Sequence, residues 1–217
     1  EASCAAHGNK LFVIGGRDRE QPETALNTIY MLDTTPDTDK MKWVSLPPFP
    51  GEGRILSTAA VCDSTLFIIG GCSLSRDNSG ETSRTYLSDM IGYDMTSKDP
   101  SKWGSSGRQQ LAGPGMPVAA AAGPAPVREN SILLIGGDKR GNSPDPSRPV
   151  AQSRDILVYD VIGNTWTRQG EWPVGIATVP AVVRGSEIMT ISGETAPGVR
   201  TPVNASASAG YHFEMSK

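Results

Sequence analysis

Apolar residues occur along this chain in short runs: Leu11 to Ile14, Ile55 to Cys62, Leu66 to Ile69, Tyr86 to Tyr93, Ile132 to Ile135 and Ile156 to Tyr159. Clusters of Gly, Pro, Asn, Asp and Ser separate them, and no segment sustains the 3.6-residue period of an amphipathic helix. Short β-rich runs bounded by turn formers predict β-strands. The chain therefore reads as all-β.

The runs repeat. Leu-Phe-Val-Ile-Gly-Gly at 11–16, Leu-Phe-Ile-Ile-Gly-Gly at 66–71 and Ile-Leu-Leu-Ile-Gly-Gly at 132–137 are copies of one string, and 188–193 is a degraded fourth. Their last glycines, Gly16, Gly71, Gly137 and Gly193, lie 55, 66 and 56 residues apart. Each full unit continues to an aspartate (Asp33, Asp94, Asp160) and then a tryptophan (Trp43, Trp103, Trp166). This beat is close to the roughly 50-residue period of kelch repeats, in which one unit is one four-stranded blade. The expectation is a kelch-type β-propeller of antiparallel blades at about 3–46, 55–106 and 118–169, with a partial blade at 176–217 holding two strands and a further strand at Tyr211 to Met215. The tryptophans are expected to bury area between adjacent sheets. Propellers close with about four to eight blades, so three and a half leave two open edges. The missing blades are expected from an upstream segment or another chain.

Composition narrows the function. With 217 residues, 37% hydrophobic, 20% charged and a net charge of -3, the sequence has no basic excess for nucleic acid, and its apolar runs are too short to span a bilayer as helices. Cys4, Cys62 and Cys72 lack metal-site spacing, and His7 and His212 cannot build a histidine site, so no metal and no cofactor are expected. Asn204-Ala205-Ser206 fits the glycosylation triplet but is too common a pattern to carry weight.

One string is more specific than the diglycines: Gly193-Glu194-Thr195-Ala196-Pro197-Gly198-Val199-Arg200-Thr201. It is preceded by Glu171-Trp172-Pro173 and by the strand around Ala177 to Val183. Together with Pro48 to Leu56, Ala25 to Thr28 and Pro117 to Ala120 running on to Pro126, it resembles the bacterial N-acetylneuraminate mutarotases, in particular their cyclically permuted relatives. The resemblance implies six blades in all, with about two upstream of this chain's first unit. It also implies anomer interconversion of a sialic acid or related keto sugar acid, and a periplasmic or secreted location, with the cytoplasm left open. Its glutamate and arginine fall on Glu194, as proton acceptor, and Arg200, as anchor of the substrate carboxylate.

The roles suit the residue types. Mutarotation needs a group to take the anomeric hydroxyl proton, which a carboxylate can do, and a guanidinium grips a carboxylate in two-point fashion. Loops joining second and third strands are long here (17–26, 72–85, 138–153, 194–207) and emerge on one face of a propeller, together with the loop carrying Arg54. That places Glu194, Arg200, Arg54, Arg17, Arg76 and Asp138 on one face, the last four as candidate substrate contacts. Each has a plainer reading: an ion pair for Glu194 and Arg200, a packed and capped stem for Arg54, solvated loop charges for Arg17, Arg76 and Asp138. The alternative function is a non-catalytic kelch module that binds protein or glycan, since the fold hosts both. A copper radical oxidase is remote with only two histidines.

Overall fold

The computed structural model describes residues 1–20, 22–103, 121–139 and 151–208, and the backbone of 213–216. Nineteen strands are present among them. The first unit folds as β1 (Ser3–His7), β2 (Lys10–Ile14), β3 (Ile29–Asp33) and β4 (Trp43–Leu46), an antiparallel sheet in chain order. The second has β5 (Thr58–Cys62) and β6 (Thr65–Ile69), then a hairpin of β7 (Cys72–Arg76) and β8 (Thr82–Tyr86), and returns to the sheet with β9 (Met90–Asp94). Whatever follows Trp103 in this unit, and the start of the third unit up to 120, lies outside the described residues. The third sheet is β10 (Val127–Arg128), β11 (Ser131–Ile135), β12 (Asp155–Asp160) and β13 (Thr165–Glu171).

The fourth unit differs from expectation. Besides β14 (Ala181–Arg184) and β15 (Glu187–Ile191), it carries a small hairpin, β16 (Glu194–Ala196) with β17 (Val199–Arg200), then β18 (Asn204–Ala207) and β19 (Phe213–Ser216). Its sheet order β14-β15-β18-β19 is that of a four-stranded blade, one strand more than the two and a further one expected. The strand at 204–207 escaped the sequence reading because Asn-Ala-Ser-Ala has neither an apolar run nor β-branched residues. Among the described residues the fold is all-β, built of propeller-like sheets.

The repeated landmarks have physical jobs. Gly16 and Gly71 take φ of 97° and 90°, and a Cβ on either would press on Ala2 or Ser57 at the start of its own unit's inner strand. Asp33, Asp94 and Asp160 each accept the backbone N–H two residues on, at 2.8, 2.8 and 3.0 Å, closing the turn out of the third strand. Consecutive sheets enclose apolar layers. Phe12 and Ile14 pack with Leu66, Tyr93 and Trp103; Phe67 packs with Ile132 and Tyr159; Leu133 and Ile135 pack with Trp172 and Ile188. These layers are the core, because each sheet is apolar on both faces.

The inner strands are lined by small side chains and surround a cavity of about 650 Å3, walled by residues 1–6, 56–61, 122–127 and 178–181. One chain of backbone hydrogen bonds links the units at its mouth. Leu56 N–H donates to the Glu1 carbonyl (2.9 Å), Ala122 to Leu56 (2.7 Å) and Thr178 to Ala122 (2.8 Å).

Candidate functional site

In the second, third and fourth units the residue after the glycine pair or its equivalent bridges back to the segment before the inner strand. Cys72 bridges Ile55, Asp138 bridges Ala121 and Glu194 bridges Ala177. Glu194 is thus the fourth unit's counterpart of Asp138, and its position is fixed by two backbone hydrogen bonds with Ala177, at 2.9 and 3.0 Å. Pro197 and Gly198, the latter at φ 73°, then turn the chain back so that Arg200 pairs with Glu194 across β16 and β17. The spacing of the Glu-x-x-Pro-Gly-x-Arg string is the spacing of that hairpin.

The Glu194 carboxylate is mostly covered, its side chain 18% exposed, and its Oε1 accepts the Gly198 N–H at 3.1 Å. Arg200 stands outside it, 64% exposed, with Nη2 3.6 Å from Glu194 Oε2. Arg200 Nη1 donates to Thr178 Oγ1 at 2.9 Å, and Thr178 lines the cavity. A carboxylate and a guanidinium therefore lie side by side on one hairpin, beside Thr178 of the cavity wall, as the loop ion pair of the plainer reading.

The other candidates are placed differently. Asp138 is buried and accepts the Tyr86 hydroxyl at 2.9 Å, a contact from the second unit's hairpin to the third unit. Arg17 pairs with Glu1 at 2.9 Å, and Arg84 reaches the other oxygen of the same carboxylate at 3.3 Å. Glu1, Arg17 and Arg84 share a cleft of about 290 Å3 between the first two units. Arg76 sits at the far end of its hairpin, donating to the Gly80 carbonyl at 3.0 Å, and so stands at the tip.

Arg54 corrects the expectation most clearly. It is 1% exposed, with its guanidinium turned between the first two units, where it meets Asp89 through both terminal nitrogens (2.8 and 3.1 Å), the Gly70 carbonyl (3.1 Å) and the face of Phe49 (5.6 Å). A planar guanidinium with a carboxylate, a carbonyl and a ring around it is an interblade strut. Asp89 lies 35 residues along the chain, inside the run Tyr86 to Tyr93, and no motif announced it.

Sequence reading also missed Thr178, Tyr86 and Glu1, none of which belongs to a recognisable string. Cys62 and Cys72 are buried and Cys4 is exposed, none of them in a disulfide; burial, with Asp63 nearby, pushes the Cys62 thiol up. Among the described residues no three His, Cys, Asp or Glu side chains come together as metal ligands. His212 lies outside them.

Comparison with known proteins agrees with the repeat. The Kelch motif matches residues 1–50. N-acetylneuraminate epimerase of Yersinia enterocolitica is 24% identical over 193 residues, 76% of this chain and 47% of that protein. N-acetylneuraminate epimerase 1 of Escherichia coli O6:H1 is 26% identical over 201 residues, covering 81% and 50%. The protein of the same name from Haemophilus influenzae is 25% identical over 74% of this chain and 46% of its own. The chain thus spans about half the length of the curated relatives it matches. In three dimensions the solved structure of YjhT superposes with a TM-score of 0.73 at 20% identity, covering 100% of this chain and 64% of the other. The chain is a kelch-type β-propeller, present in part, that resembles the N-acetylneuraminate mutarotases.

Proposed function

We propose that the completed propeller is an isomerase that interconverts the anomers of N-acetylneuraminate or a related keto sugar acid. The observation that carries this reading is the pairing of Glu194 with Arg200 on one hairpin, with Arg200 tied to Thr178 at the cavity mouth. The relatives named N-acetylneuraminate epimerase support it.

In this reading Arg200 exchanges its long contact with Glu194 for the substrate carboxylate, which orients the anomeric carbon toward the glutamate. Glu194 takes the proton of the anomeric hydroxyl, the bond from the anomeric carbon to the ring oxygen breaks, and water delivers a proton to that oxygen. The product is the open-chain ketone. Rotation about the bond to the carbonyl carbon and reversal of both proton transfers give the other anomer, with no net consumption of any co-reactant. Arg17 and Asp138, engaged with Glu1 and Tyr86, hold neighbouring units together and do not meet the sugar acid in this reading. Further sheets, from the same polypeptide or another chain, close the ring around it. No cofactor takes part.

Arg200→Lys tests the anchoring role. A lysine keeps the charge but loses the two-point grip, so N-acetylneuraminate binding should weaken markedly while a neutral sugar of similar size is affected little. Equal losses for both sugars would mean that Arg200 does not meet the carboxylate.

A further inference from the structure

The ring position that joins one unit to the next has the same backbone in three units: Leu56, Ala122 and Thr178 take φ of 55°, 58° and 54°. Their N–H groups form the chain of hydrogen bonds around the mouth, so the left-handed conformation is set by the architecture. Any side chain placed there must accept it. A β-branched residue is poorly suited to that region, because its second γ-substituent crowds the backbone. Leu56 and Ala122 have no polar side chain; only Thr178 of the three does, and its hydroxyl accepts Arg200 Nη1 at 2.9 Å.

We infer that Thr178 is a positioning residue, a strained threonine whose hydroxyl fixes the Arg200 guanidinium over the cavity mouth so that its remaining donors are ready for an anionic ligand. Arg200 needs such a tether. It is 64% exposed and sits on a two-residue strand, with its carboxylate partner 3.6 Å away, beyond hydrogen-bonding reach. A freely turning guanidinium would have to be ordered at each binding event, and ordering beforehand lowers that cost. One of the five donors is used by Thr178 and the others stay available. The identity of the anion rests on the function proposed above; the tether does not.

Thr178→Val keeps the shape and the β-branch but removes the hydroxyl, whereas Thr178→Ser keeps the hydroxyl and removes the branch. With N-acetylneuraminate titrated by NMR, Thr178→Val should weaken binding about fivefold, the order expected for the net contribution of one ordinary hydrogen bond. Thr178→Ser should stay close to wild type. In an Arg200→Ala background the valine should add nothing, since the two side chains act as one unit. The nitrogen-15 signals of the Arg200 guanidinium give a readout without sugar: hindered rotation in wild type and Thr178→Ser, free rotation in Thr178→Val. Thr178→Gly should raise the melting temperature while freeing the guanidinium. Wild-type binding together with unchanged Arg200 signals in Thr178→Val, or a serine variant as weak as the valine, overturns the inference. If no form of the protein binds the sugar acid, the proposed function falls, and the Arg200 signals alone decide the role of Thr178.

Discussion

Trp43 and Trp166 occupy the same register in their sheets, Trp43 opposite Leu32 and Trp166 opposite Tyr159, yet Trp43 is 52% exposed while Trp166 packs against Tyr159 at 5.2 Å. Tyr159 in turn meets Phe67 of the preceding sheet at 5.8 Å. The first sheet carries the matching surface, with Leu11 and Tyr30 also exposed beside Trp43, and nothing among the described residues covers it. The expectation that each tryptophan is buried between sheets therefore fails at Trp43, against which no other sheet packs among the described residues.

We propose that another kelch sheet covers this face. The counterparts of Leu11 and Leu32 in the second and third sheets, Leu66, Tyr93, Ile132 and Tyr159, are fully buried against the sheet before them. Left open, such a patch drives association. The 217-residue chain alone should self-associate in light scattering, and Leu11→Lys with Tyr30→Lys should reduce that association. A monodisperse monomer across the concentration range would contradict this.

Arg54→Lys should cost about 2 kcal/mol of stability in urea unfolding, because a buried two-point pair is replaced by a point charge. Sugar-acid binding should be unchanged. Loss of binding at unchanged stability would return Arg54 to the site.

Gly53 and Gly175 have counterpart places before the second and fourth inner strands, and a Cβ on either would run into a backbone carbonyl, of Ala25 or Gln152. Alanine at either should destabilise by about 1–3 kcal/mol, since backbone cannot step aside as a side chain can. A neutral substitution would show that the loops carrying Ala25 and Gln152 yield.

Burial disfavours a charged Asp155, but hydrogen bonds from Arg168 (2.8 Å) and Ser153 (3.0 Å) and the nearby Lys139 outweigh it and hold its carboxyl below the usual range. A depressed folded-state value means that the unfolded chain binds this proton first as pH falls. The stabilisation is complete above the ordinary aspartate value of about 3.9 and is lost as pH falls through the lower folded value. Asp155→Asn should flatten unfolding stability against pH in that acid window. An unchanged slope would assign the acid sensitivity to other carboxylates.

Much of the fold was legible because its landmarks are local. The Leu-Phe-Val-Ile-Gly-Gly string needs only the pleat and a glycine turn, and Asp33 needs only the N–H two residues on. The Glu194 to Arg200 string was legible for the same reason, its spacing being that of one hairpin. Thr178, Tyr86 and Asp89 were not, since each acts on a residue far away in sequence: Arg200, Asp138 and Arg54. The strand at Asn204–Ala207 is made by pairing with β15 and not by its own propensity.

The proposed role of Glu194 as proton acceptor in anomer exchange is open to direct measurement. Glu194→Gln keeps the size of the side chain and an acceptor for the Gly198 N–H but cannot take up the proton. With the completed propeller, the conversion of freshly released α-N-acetylneuraminate to the β anomer is followed by NMR at a pH where the spontaneous reaction is slow. Wild type should accelerate the conversion, and Glu194→Gln should be slower by ~10²- to 10⁴-fold, with sugar binding largely retained. A Glu194→Gln protein that converts the anomers as fast as wild type would contradict it, leaving the hairpin a structural loop and the protein a kelch binding module.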